Sequence, residues 1–362
     1  MNLKENNLLV SKEITYLLIG SMIGIGIFNL PNALVKSSYE SGWIPVLIGS
    51  VYPLYLGSMA ILIIKKEKKR NILFLSKKCF GNIIGSLFNI VFLINFIFYI
   101  VIVISGFNNM FTVYATSFLT PTKIVSFITL ITAFTSYKGL KVISKINTLF
   151  FYLMLIVFII IFWGALRKGS YLNLLPIYDV SLANILKSVK EAILSYGGLE
   201  IIFLIYPSVK NLENIGRNIF EAIGITTVIY TLSTAMTIYY LGVDIIPKYN
   251  WSFLTLSESL TTPVINNFRF VFAFFWLGIC LNIVCNYYFS AVLIVKDLFN
   301  GITRKNITIV LYFIITYVSI KLSENTIRKK FIEVFYFKFV FFVIIYTFII
   351  TLFVFIRKED KL

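Results

Sequence analysis

Stretches of about twenty apolar residues follow one another along this chain, at roughly 13–35, 43–64, 82–108, 120–137, 144–165, 185–207, 217–243, 265–291, 303–322 and 335–356. Nothing else in the sequence limits the fold so tightly. Inside a bilayer every backbone N–H and C=O must find its partner within the protein, and a helix of about 20 residues does this while crossing roughly 30 Å of hydrocarbon. The 362 residues are 59% hydrophobic and only 14% charged, whereas soluble domains carry about 25% charged residues. The chain reads as an all-α integral membrane protein with about ten transmembrane helices. No soluble-sized linker separates them, so residues 1–362 form a single membrane domain.

The formal charge of +17 raises the question of nucleic acid. Its distribution answers it. The densest cluster, Lys65, Lys66, Lys68, Lys69 and Arg70 with Lys77 and Lys78, lies between the second and third segments. If the N-terminus is cytoplasmic, the termini and even-numbered connections hold most of the Lys and Arg, as the positive-inside rule requires. Both termini are therefore expected in the cytoplasm. One connection disagrees: Lys321, Arg328, Lys329 and Lys330 sit between the ninth and tenth segments, on the side predicted outside. The basic loops are read as facing anionic membrane lipids rather than nucleic acid.

Enzyme chemistry finds no footing. The chain has no histidine, which removes the usual triad base and the commonest metal ligand, and it lacks a P-loop and a C-x-x-C motif. The three cysteines, Cys79, Cys280 and Cys285, read as small packing residues. No cofactor, metal or catalytic residue is expected. The N-terminal segment lacks a small-residue cleavage site and reads as a retained span.

Two places weaken their own helices. "GSMIGIGIFNLP" (20–31) puts three glycines and a proline into the first segment, and "LSYGGLE" (194–200) puts paired glycines into the sixth. Five segments separate them, and an odd offset implies halves of opposite orientation, 12–166 and 185–357. Shifting the first half by 173 residues lays Gly24 on Gly197. Glycine-interrupted spans at matching positions of two halves point to a transporter-type binding site at the bilayer midplane. An interrupted helix frees backbone groups that cost several kcal/mol each in lipid unless something binds them. The competing reading is close helix packing, which Gly20-xxx-Gly24 also fits.

Candidate contacts follow from this. Gly24, Ile25 and Gly26 at the first interruption, and Ser195, Tyr196, Gly197 and Gly198 at the second, would offer backbone to a ligand. Glu200 is the one acid deep in a span, a costly placement that is functional by default, as proton acceptor, gate or ligand contact. It could equally latch its helix to a neighbour. Asn95 and Tyr99 on the third segment, with Gly106 further along, and Asn282 and Asn286 on the eighth form polar stripes at helical spacing. These would line the sides. Lys145 opens the fifth segment, either snorkelling to headgroups or standing in for a coupling cation beside the first interruption. The connection from Leu241 to Arg269 has the place of a lid.

"GSMIGIGIFNLP" followed by "SYGGLE" resembles the amino acid–polyamine–organocation transporter superfamily, whose LeuT-type fold is a 5+5 inverted repeat with broken helices 1 and 6. Ten segments, with "ESGWIP", "FGNIIGSLF", "LTPTKIV" and "SYKGLKVISKI" in order, narrow the resemblance to the spore germination B-subunit family. What it implies is a permease-like receptor subunit in the spore inner membrane. Such a subunit would bind a small germinant, typically an amino acid, and act with germinant receptor A and C subunits. Where that family usually carries arginine at the end of the last motif, this chain has Lys145. A proton-coupled amino acid transporter using Glu200 or Lys145 is the alternative.

Overall fold

A computed structural model describes residues 8–114, 118–177, 180–260, 268–299 and 301–356. Each predicted apolar segment coincides, within those residues, with a helix or a helix pair. The first is α1 (Ser11–Met22) with α2 (Gly26–Ser38), and the second is α3 (Ile44–Gly49) with α4 (Val51–Lys66). The next three are α5 (Ile72–Tyr114), α6 (Pro121–Lys138) and α7 (Leu140–Lys168). The sixth is α8 (Leu182–Ser195) with the short α9 (Ile202–Ile205). The rest are α10 (Ile215–Leu241), α12 (Phe268–Leu298), α13 (Arg304–Lys321) and α14 (Asn325–Ile356), with α11 (Ser252–Leu256) in the connection before α12.

Among the described residues, six helices are long and apolar enough to cross a membrane, or seven if the bent pair α1–α2 counts as one. Three predicted segments fall below that mark, for visible reasons. α6 is rich in hydroxyls, such as Thr129 and Thr132, which bond back to carbonyls of their own helix. α13 opens on Arg304 and Lys305. α8 is amphipathic, with Lys187 and Lys190 exposed and Ser188 and Ala192 buried.

α1 sits at the centre. Ile14, Thr15, Leu17, Leu18, Ile19, Ser21 and Met22 are all buried, and α7, α10 and α12 surround it. A helix buried over most of its surface belongs to the middle of a bundle. The outer helices turn apolar side chains outward: Phe127, Ile159, Phe274, Phe313 and Phe341 are each 61% to 69% exposed. In water so much exposed apolar surface would drive association; in a bilayer it is the lipid face. This is a multi-pass membrane protein.

The two ends of the α1–α2 pair are tied differently. At the start of α1, Leu9 N–H donates to the Ser208 carbonyl and Lys210 N–H to the Leu9 carbonyl, both at 2.9 Å. Beside them Glu13 pairs with Lys141 at 2.7 Å and Lys12 with Glu221 at 2.6 Å. At the other end, Ser38 donates to Ser188 of α8 at 2.7 Å. Asn32 of α2 donates to the carbonyls of Ile246 and Tyr249 and accepts from Ser252 N–H. The described part of the proposed lid is thereby packed onto α2, and Phe253 joins a ring cluster with Phe28, Phe272 and Trp276. Pro263 and its neighbours at 261–267 lie outside the described residues, as do 1–7 and 357–362 at the ends.

Candidate functional site between two interrupted helices

α1 ends at Met22, Ile23 is extended, and α2 starts at Gly26 with a bend of 55°. α8 ends at Ser195, and the chain passes through Tyr196, Gly197 and Gly198 before a short 3-10 turn at Leu199–Ile201. The two interruptions meet. Gly198 has φ of 123°, a conformation that L side chains rarely adopt. An added Cβ there would lie 2.0 Å from the Ser21 carbonyl oxygen of the first interruption. Gly26 in turn lies against Ser195, and Gly24 against Ile283 of α12.

The last carbonyls of a helix have no partner within it, and two helices end here. Tyrosine hydroxyls take up these groups. The Tyr230 hydroxyl of α10 is 2.7 Å from the Met22 carbonyl and 2.8 Å from that of Ser195. The Tyr287 hydroxyl of α12 is 2.6 Å from the Ser21 carbonyl and 3.2 Å from that of Gly197. Each tyrosine therefore bridges one interruption to the other. Tyr336 of α14 donates to the Ile193 carbonyl at 2.8 Å, and Tyr196 to that of Val46 at 3.0 Å.

Glu200 is buried beside this centre. One carboxylate oxygen accepts from the Tyr52 hydroxyl and the other from the Gly198 N–H, both at 2.6 Å. It fixes the second interruption and adds carboxyl oxygens to a place already rich in carbonyl oxygen. Four carbonyls share two hydroxyl protons, and two helix C-terminal ends, each partially negative, meet here. The centre is electrostatically suited to an ammonium group.

The other sequence candidates divide. Tyr99 lies against Gly197, where a Cβ would come within 2.4 Å of its hydroxyl. Asn95, one turn earlier, is buried, and neither amide atom is hydrogen-bonded among the described residues. Asn286 is engaged: it bonds the Leu17 carbonyl, the Ser21 hydroxyl and Asn147, tying α12 and α7 to α1. Asn282 flanks Gly20 with Asn147 across a small cavity, and its Oδ1 is unpartnered among the described residues. Lys145 is exposed on α7; the lysine that reaches the start of α1 is Lys141, one turn away. Tyr52, Tyr287 and Tyr336 escaped the sequence reading, because an aromatic in an apolar helix carries no mark of what it faces.

Two interrupted helices meet inside a helical membrane bundle, and solved structures of membrane transporters superpose on the chain. A Na+-coupled sialic acid symporter in its substrate-bound outward-open state matches with a TM-score of 0.65 over 88% of this chain and 73% of its own, at 9% identity. MhsT in complex with L-phenylalanine matches with a TM-score of 0.66 over 86% and 79%, at 13% identity. At such identities the likeness is one of fold. The family is narrower: the profile of the spore germination protein family matches residues 8–328, and the chain belongs to that family. Spore germination protein YndE of Bacillus subtilis (strain 168) is 24% identical over 259 residues, 70% of each chain. GerQB of Bacillus cereus is 23% identical over 270 residues, 72% of each.

Proposed function

We propose that this chain is the membrane-embedded, ligand-binding subunit of a nutrient germinant receptor, and not an enzyme. Its ligand is a small amine-bearing molecule, most simply an amino acid, held where the two interruptions meet. The observation that carries this reading is the pair of tyrosine bridges. Tyr230 and Tyr287 each join a carbonyl of the first interruption to one of the second. An ammonium group entering there competes for the same carbonyls, so binding acts directly on how the two interrupted helices hold each other. A ligand shifts such an equilibrium only by its differential affinity for the two arrangements, and these shared carbonyls supply one.

Several finer features belong to the same proposal. The chain is a LeuT-type 5+5 inverted repeat with broken helices 1 and 6, a reading favoured by interruptions five spans apart. It has ten spans, with both termini cytoplasmic, in the spore inner membrane. It passes the shift on to germinant receptor A and C subunits, and no cofactor or metal is needed. The test is a ligand-dependent rise in melting temperature of the purified chain across a panel of L-amino acids. Gly24→Leu and Gly197→Leu, which fill the interruptions, are expected to insert normally and to lose that rise. Wild-type shifts in both variants would falsify the site.

The second reading, a proton-coupled amino acid transporter, is favoured by one observation. Glu200 is a buried carboxylate within bonding distance of the interrupted backbone. Lys145, the other candidate for coupling, is exposed.

A further inference from the structure

The first turn of α14 carries Arg328 into the bundle. Its Nη1 lies 2.6 Å from where a Cβ on Gly106 would stand, so a side chain at Gly106 would displace the guanidinium. Ile25, in the first interruption, packs on the same glycine, its Cδ1 3.5 Å from that point. Arg328 thus sits between α5 and the interruption. Its one side-chain hydrogen bond among the described residues is from Nη2 to Asn325 Oδ1 at 3.3 Å, while Nε is buried and unpartnered. Among the described residues no carboxylate comes within ion-pair distance; Glu324 and Glu333, its neighbours in sequence, form none with it. One turn beyond Gly106 on the same face of α5, Asn109 Nδ2 is a second buried donor without an acceptor among the described residues.

A half-buried guanidinium without counter-charge is costly, and donors without acceptors call for an anion. The face of α14 that holds Arg328 runs at helical spacing through Ile332 to Tyr336, whose hydroxyl meets the backbone just before the second interruption. That face leads toward the interruptions and away from lipid. We infer that Arg328, with Asn109 one turn along α5 from the glycine it packs on, receives the carboxylate of the ligand and selects for carboxylate-bearing molecules. The inference rests on the reading of the interruptions as the ligand site, and completes its polarity: acceptors at the centre, donors at this flank. A planar guanidinium pairs with a carboxylate through two parallel bonds, which a lysine does not reproduce.

The experiment uses the purified full chain in nanodiscs of zwitterionic lipid, with melting temperature read against the twenty L-amino acids and their primary amides. At least one amino acid is expected to stabilise the wild type, and its amide, lacking the carboxylate charge, is not. Arg328→Gln is expected to weaken that amino acid on the order of tenfold or more, and Arg328→Lys severalfold. If the glutamine variant does not fold, the lysine variant carries the test. Unchanged affinity in the variant that folds, or amides binding as well as acids, overturns the inference. Loss of binding in Gly24→Leu with full binding in Arg328→Gln leaves the interruption site standing and removes this one. The reverse pattern removes the interruption site and keeps the arginine. If anionic lipid stabilises the wild type but not Arg328→Gln while amino acid binding is unchanged, the occupant is a lipid phosphate and the inference falls. If no panel member binds the wild type, both readings fall.

Discussion

Gly198 carries more constraint than any other single residue at the site. Its backbone is in the left-handed region, and its missing side chain is what lets the second interruption touch the Ser21 carbonyl. Alanine there must adopt an unfavourable φ and push against backbone, which has nowhere to go. Strained φ of this kind costs about 1–3 kcal/mol before the clash is added. Gly198→Ala is therefore expected to lower the melting temperature by several degrees. Gly224→Ala on α10, where nothing lies within 4 Å of the added Cβ, is expected to be neutral or slightly stabilising. Equal melting temperatures for the two variants would contradict the packing described here. Glycine-rich sequence revealed both interruptions, since few other reasons place such residues in an apolar helix. It did not reveal their contact, because the residue pressing on Gly198 is 177 positions away in the chain. Glu200 was visible as a lone buried acid, while its partner Tyr52 was one aromatic among many.

The elements show a similar division. Apolar length found the helices, but the register of one helix against the next is set by packing that no single segment encodes. Lys145 and Lys141 illustrate the point: both lie on α7, one turn apart, and only the assembled bundle shows that Lys141 faces α1. Arg328 entered the sequence reading as a violation of the positive-inside rule. In the fold it is tucked against Gly106 rather than lying free in a loop, so part of that violation has a local cause. The ties at the start of α1 also carry an expectation. Lys141 holds Glu13, in the first turn of α1, at 2.7 Å and the Leu8 carbonyl, on the segment that leads into it, at 3.2 Å. Losing about 1 kcal/mol of such restraint shifts an opening equilibrium about fivefold. With the three native cysteines replaced and Leu17→Cys introduced as a buried probe, Lys141→Met is expected to be labelled severalfold faster. The reagent is a membrane-impermeant maleimide applied from the Lys141 side. Unchanged labelling would mean that the pair does not restrain α1.

For the whole molecule the question is whether ligand crosses the membrane. A transporter must release on one side what it takes from the other, so the bonds that close its centre have to open in turn. Here two tyrosine bridges and the Glu200 clamp hold the centre closed, and backbone pairing between Leu9 and residues 208–210 holds the start of α1. A receptor needs only the first of these to respond. Proteoliposomes holding this chain alone, already shown to bind an amino acid by its melting temperature, are therefore expected to take up no more of that labelled amino acid than empty vesicles. Saturable uptake driven by an imposed proton gradient would establish the transporter reading, and Glu200→Gln then decides how the coupling works. If Glu200 is the coupling group, the glutamine variant retains exchange and loses gradient-driven accumulation. If Glu200 only clamps Gly198 and Tyr52, exchange and accumulation fall together with thermal stability. In the receptor reading the same variant binds more weakly, because an amide side chain cannot accept from both Tyr52 and the Gly198 N–H and so loosens the second interruption, and uptake stays at the level of empty vesicles in both forms.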